Sequence, residues 1–454
     1  MTLVLSFVAN AGINFILGLL VAYFLGPAEF GRYAIGAALM VLVNAACLDW
    51  LKLAAIRFYS DRSRESEPEV RATLDVLAAG ISIALSGLVL AAAVSGADLG
   101  MPVMLLAAAV LAGVCGGLFE YHGAIARARF LDRVYARQIM VKNLLALVLM
   151  VGGAWITRDP AMVLFGSALS LAAALVTVRH ALADMPLRFG AFNVALAEDF
   201  ARYAMPLVMA NVFYVSIPFM NRSLLAASHG FAEAGYFALA SDMGIKLFGT
   251  VGAALELILL QRVVHLDRVE GREAAEKCLA KNVIIVAMVL CPLALGLWLV
   301  LPAFEALVVP FSYRGHFSAY FMALLPAVFA MGFFQAALNG AFMLAKKTLP
   351  ATLAALCAVL LNLLVLWIAD ERHGTIAYAV AQSFGFGAAL VASGIVAWRM
   401  VATRPSLRDI GVIMLGLASF VRNQGWLMLL TLIALAGGFR LAWTSAAFRE
   451  KFDA

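Results

Sequence analysis

The chain has 454 residues, of which 64% are hydrophobic and 13% charged, with a net charge of +6 and a mean hydropathy of +0.96. Soluble domains run nearer half apolar and a quarter charged, so this is a polytopic membrane protein with no soluble domain of any size left over. The +6 balance sits in short loops and argues for membrane topology, not for nucleic-acid binding.

The first apolar run, Thr2 to Leu25, lacks a basic leading segment and is too long for a signal-peptide core, so it reads as a retained span. A bilayer needs about 20 apolar residues per helix. Such runs follow in order at about 33–56, 72–95, 102–125, 139–157, 162–181, 203–226, 235–261, 282–303, 318–344, 348–369 and 375–398, which makes twelve spans. Trp426 to Trp443 reads as a thirteenth, and the short run Ile410 to Val421 as an interfacial segment or half of a final hairpin. One set of loop ends carries twenty-two Lys and Arg, among them Arg57, Arg127, Arg133, Arg262, Lys277 and Lys346. The alternate set carries at most five: Arg32, Arg158, Arg314, Arg372 and Arg222 near one edge. Positive loops stay inside, which places the N-terminus and the basic loops in the cytoplasm.

The turn after the first span recurs after the seventh. Gly26-Pro27-Ala28-Glu29-Phe30-Gly31-Arg32-Tyr33-Ala34 aligns without a gap on Gly230-Phe231-Ala232-Glu233-Ala234-Gly235-Tyr236-Phe237-Ala238, an offset of 204 residues. Six spans per copy is an even number, so the two copies are parallel repeats about an axis along the membrane normal. The expected fold class is therefore an all-α polytopic membrane protein of two six-helix bundles, with one or two further C-terminal helices. The expected boundaries are 1–190 for the N-terminal bundle, 191–402 for the C-terminal bundle and 403–454 for the extension. A seam between the bundles, lined by the first, second, seventh and eighth spans, suits alternating access.

The turn Leu25 to Ala34 resembles the opening of bacterial polysaccharide-biosynthesis membrane proteins, the Wzx-type oligosaccharide flippases of the multidrug/oligosaccharidyl-lipid/polysaccharide exporter superfamily. The resemblance continues through Lys52-Leu53-Ala54-Ala55-Ile56-Arg57-Phe58, Ala124-Ile125-Ala126-Arg127-Ala128-Arg129-Phe130 and Met343-Leu344-Ala345-Lys346-Lys347, and it covers the twelve-span body. These are helix-end and turn motifs, which speak to family more than to cargo. The resemblance implies a V-shaped pair of bundles in the bacterial inner membrane, moving undecaprenyl-diphosphate-linked oligosaccharide by alternating access. It implies a cationic central cavity for the diphosphate, use in exopolysaccharide, capsule or O-antigen assembly, and partners in polysaccharide polymerase and export machinery. No cofactor is called for.

Ionisable groups inside spans are costly and usually face a cavity or a partner. Arg222 lies in the seventh span, beside Asn221 and four residues after Pro218, where a proline bend frees carbonyls. It reads either as a bidentate grip for phosphate or as an arginine snorkelling to headgroups. Asp242 and Lys246 share a face of the eighth span, either as a self-neutralised pair or with Lys246 meeting the diphosphate while Asp242 pairs with Arg222. Asn10 and Asn14 share a face of the first span with Gly18, and Gln335 and Asn339 form a similar stripe on the tenth; Asn211 joins them as a cavity candidate. Such small and polar stripes also serve plain helix packing. Glu120 and His122 read as a proton-linked pair or as groups wetted at the cytoplasmic edge. Asp49 and Lys52, three apart, are placed to pair, and Arg57 reads as a topology anchor.

Two other functions fit the class less well. A multidrug or cation antiporter of the related branch usually buries acids in the N-terminal bundle, and there is no Asp or Glu from Met1 to Ala28. A membrane glycosyltransferase or polymerase needs a sizeable external loop, and the outer loops Ser95–Met101 and Arg158–Ala161 are too short. The reading is a transporter, not an enzyme. The scattered cysteines and histidines point to no metal.

Overall fold

The computed structural model describes residues 2–95, 100–183, 192–345, 349–369 and 374–400. The expected C-terminal extension, including the run Trp426 to Trp443, lies outside the described residues. Within them the chain is helical: α1 Thr2–Cys47, α2 Asp49–Phe58, α3 Asp61–Ser66, α4 Pro68–Ser95, α5 Val103–Ala128, α6 Asp132–Thr157, α7 Pro160–Leu182, α8 Val194–His229, α9 Phe231–Val269, α10 Arg272–Leu307, α11 Phe317–Phe333, α12 Asn339–Ala345, α13 Leu349–Ala369 and α14 Ala377–Met400. A short π-helical turn, Phe334–Leu338, joins α11 to α12 in a single span.

Eleven of the described helical stretches are long and apolar enough to cross a membrane. The first of them is two spans in one. At Gly26 the backbone turns to φ 73°, ψ 171°, and α1 breaks there into two arms. Only glycine takes such angles without strain, and Pro27, which lacks an N–H to donate, starts the second arm. With that break the described residues form the twelve core spans that hydropathy predicts.

The repeat is structural as well as sequential. Gly230, the partner of Gly26 at the 204-residue offset, ends α8 with φ 93° and ψ 165°. Gly31 and Gly235, also partners, meet face to face where α1 crosses α9. A Cβ on Gly31 would lie 1.9 Å from the Phe231 carbonyl oxygen, and one on Gly235 would lie 2.1 Å from the Pro27 carbonyl oxygen. Phe231 and Pro27 are again repeat partners. The pseudo-twofold axis therefore passes between these glycines, and backbones touch there because neither side chain intervenes.

Around this contact the side away from the basic loops is closed. Tyr313 donates to the Ala22 carbonyl at 3.1 Å, Phe30 packs edge-on against Tyr313, and the Arg32 guanidinium lies over the Phe231 ring. On the basic-loop side, Phe58 of α2 packs against Phe200 and Tyr203 of α8. The buried residues are dominated by alanine, as expected where helices approach closely in lipid.

Candidate functional site

A cavity of about 540 Å3 lies on the seam. The second arm of α1 supplies Tyr33 and Ala38; α8 supplies Asn211, Tyr214, Pro218 and Arg222; α9 supplies Asp242, Lys246 and Gly249. Val328, Met331 and Gln335 of the tenth span, with Phe386 and Leu390 of α14, complete walls that are mostly apolar and aromatic.

Arg222 is only 4% exposed. Its Nη2 ion-pairs with Asp242 Oδ1, and its Nη1 donates to the Ala34 carbonyl at 3.2 Å. One guanidinium thus ties α8 to α9 and to the second arm of α1. This is a different arrangement from an arginine snorkelling to the surface. It is also different from a guanidinium standing free in the cavity, because two of its three nitrogens are occupied by protein acceptors.

Lys246 behaves differently. It does not pair with Asp242 one turn away, so the self-neutralised pair does not form. Its ammonium crosses the seam to the Asn14 carbonyl at 3.0 Å. Gly18, one turn beyond Asn14 on the same face, makes the room: a Cβ there would lie 2.8 Å from the Lys246 nitrogen. The small, polar face of the first span therefore receives the lysine.

The other predicted residues separate by helix face. Asn211 lines the cavity and donates from Nδ2 to Asp49 Oδ2 at 2.9 Å. Asn221, adjacent to Arg222, points away from the cavity. It exchanges hydrogen bonds with Asn362 of α13 at 3.0 and 2.9 Å and is fully buried. That is a packing knot between helices, because neighbours in a helix never share a face. Gln335 and Asn339 both reach Glu256 of α9, at 3.1 and 2.5 Å, so they hold a carboxylate, and only Gln335 also borders the cavity. The π turn sets their presentation, as such turns often do at functional positions. The side chain of Asn10 lies outside the described residues.

Glu120 and His122 are not a pair. Glu120 accepts from Lys52 Nζ at 2.6 Å, while His122 contacts the Leu118 carbonyl on another face. Lys52 also donates to Asp49 at 2.7 Å. Lys52, Asp49, Glu120 and Asn211 form a network linking α2, α5 and α8 on the basic-loop side of the cavity. Hydropathy gave no sign of this network beyond the Asp49–Lys52 spacing. Tyr33 and Tyr214 were likewise not separable from core aromatics by pattern.

No family model and no curated protein sequence matches the chain. Solved structures do. A lipid II flippase, MurJ, in an inward closed conformation superposes with a TM-score of 0.72 at 14% identity, covering 100% of both chains. An inward-facing multidrug resistance MATE transporter of the MOP superfamily gives 0.55 at 14% identity over 87% of this chain and 94% of its own. An outward-facing MATE transporter of that superfamily gives 0.56 at 14% identity over 88% and 94%. The chain has the fold of the MOP-superfamily flippases and transporters. It is a multi-pass membrane protein whose structural neighbours are transporters.

Proposed function

We propose that the protein is an inner-membrane flippase that carries polyprenyl-diphosphate-linked oligosaccharide across the bilayer, by alternating access, for assembly of a surface polysaccharide. The observation that carries this reading is the charge arrangement of the seam cavity. Among its described lining residues the only acid, Asp242, is already held by Arg222, and Lys246 is held by nothing stronger than a backbone carbonyl. Such a cavity has a cation to offer an anionic cargo and no carboxylate to offer a cationic one. The full-length likeness to a lipid II flippase supports a lipid-linked cargo.

In this mechanism Lys246 leaves the Asn14 carbonyl to meet the diphosphate as a point charge. The aromatic walls, Tyr214 and Phe386 among them, face the sugar or the prenyl chain. Arg222 holds the outer end shut through Ala34 and Asp242, and it releases when the bundles rock apart. The asymmetry of basic loops supports a cytoplasmic N-terminus, so loading occurs from the cytoplasmic leaflet. Polysaccharide polymerase and export machinery would take the product.

A multidrug antiporter shares this fold, and one experiment separates the two. Deleting the gene in its native host, with no redundant flippase present, stops one surface polysaccharide and leaves polyprenyl-linked units on the cytoplasmic leaflet. Unchanged polysaccharide together with new sensitivity to cationic drugs would replace the flippase reading with the antiporter.

A further inference from the structure

Away from the seam, α4, α5 and α7 surround a second cavity of about 520 Å3. Helix α4 creates it by leaving the bundle. Its buried residues, Val70, Arg71, Thr73, Leu74 and Ala78, all fall in its first three turns. Beyond them Ile83, Leu88, Leu90 and Val94 are 66–81% exposed. The result is a wedge that opens sideways to the bilayer, walled by Ala79, Ile83, Leu118 and Val176.

The narrow end of the wedge, on the basic-loop side, is charged. Arg71 is 6% exposed; its Nε donates to Asp75 at 2.8 Å, and its guanidinium lies over the rings of Tyr59 and Tyr121. Tyr121 donates to the other Asp75 oxygen at 2.7 Å. Arg179, exposed on the last turn of α7, borders the mouth. Arg129 is fixed nearby by its bond to the Ala181 carbonyl at 3.2 Å. Among the described residues that line the cavity Asp75 is the only acid, and its pairing with Arg71 leaves the charge of Arg179 at the mouth. None of these groups takes part in the seam.

We propose that this wedge is a binding site for an anionic glycerophospholipid of the leaflet on the basic-loop side. Its phosphate sits on Arg179 at the mouth, and one acyl chain lies between α4 and α7. A void beside a splayed membrane helix is filled by lipid, since water there would leave apolar walls wet. Basic pockets between spans on this side select anionic headgroups, and the guanidinium fork suits a phosphate. The site is independent of the transported cargo.

The test is native mass spectrometry of the purified full chain titrated with phosphatidylglycerol or phosphatidylcholine. The wild type retains phosphatidylglycerol and not phosphatidylcholine. Arg179→Gln weakens that retention about fivefold, the effect of one surface arginine on an anionic lipid. Ala79→Trp fills the wedge with both arginines intact and abolishes it. Arg71 is left alone because its loss strips Asp75 of a partner; thermal melts confirm that both variants fold. Equal retention of the two lipids, or unchanged phosphatidylglycerol affinity in either variant, overturns the proposal. So does disulfide cross-linking of Ile83→Cys between two copies of the chain, which would make the wedge a dimer contact.

Discussion

Arg222 and Lys246 both line the seam cavity, yet the structure gives them different work. Removing Arg222 leaves Asp242 and the Ala34 carbonyl without their donor. Arg222 is buried and Asp242 is 32% exposed, so leaving their bonds unmade costs about 1–3 kcal/mol, and Arg222→Ala should lower the level and melting temperature of the folded protein. Arg222→Lys should fall between, since it keeps the charge but not both bonds. The double variant Arg222→Ala with Asp242→Asn should regain much of the loss. A normal level of Arg222→Ala with no export would instead identify a direct grip on the cargo. Lys246→Gln should behave in the opposite way: normal folding, because only one bond to a carbonyl is lost, and weak binding of lipid-linked substrate. A charge-assisted contact contributes about 1.5–3 kcal/mol, so affinity should drop roughly tenfold to a hundredfold. Gly18→Ala should act in the same direction with a smaller effect, because its Cβ pushes the flexible ammonium aside. Binding equal to wild type in Lys246→Gln would remove this lysine from the site. The sequence made Arg222 and Lys246 conspicuous through charge inside an apolar run. It did not distinguish Arg222 from Asn221, since which of two neighbours faces a cavity depends on the roll of the helix.

At the scale of elements, the two repeated turns control the outer end of the seam. The Gly31 and Gly235 contacts are with backbone oxygens, which do not swing away as a side-chain tip does. Gly31→Ala should therefore pry α1 from α9 and destabilise the outer-closed state. A cysteine at Ala38 in the cavity should then react faster with an impermeant maleimide added from the outer face. An unchanged labelling rate at normal protein level would show that the glycine contact does not hold this end. The ends of α4, α5 and α7 follow the hydropathy closely, because the bilayer requires a continuous apolar run, while α8, α9 and α10 extend well past it on the basic-loop side, where hydropathy carries no signal. The π turn at Phe334–Leu338 carried no such signal. Its extra residue matters only once Gln335 and Asn339 find Glu256 on a neighbouring helix.

At the scale of the molecule, orientation is tested with single cysteines in a background lacking Cys47, Cys115, Cys278, Cys291 and Cys357. With the outer membrane permeabilised, Asp98→Cys should be labelled on intact cells and Glu65→Cys only after the inner membrane is opened. The reverse pattern would invert the topology and the direction of loading. The Asp49–Asn211 bond ties α2 to α8 on the basic-loop side, as the glycine pair ties α1 to α9 on the other.

By itself, the sequence determined membrane class, the number of core spans, parallel repeat and loop charge. All four are one-dimensional: bilayer thickness, the evenness of six and the inside bias of Lys and Arg act along the chain. Only the tertiary structure decided which polar groups share a space. Arg222, Asp242 and Ala34, or Lys246 and Asn14, come from distant segments, and each could equally have faced lipid, core or cavity. Burial in the seam favours their pairing, and helix roll and the close approach at the glycines selected the partners.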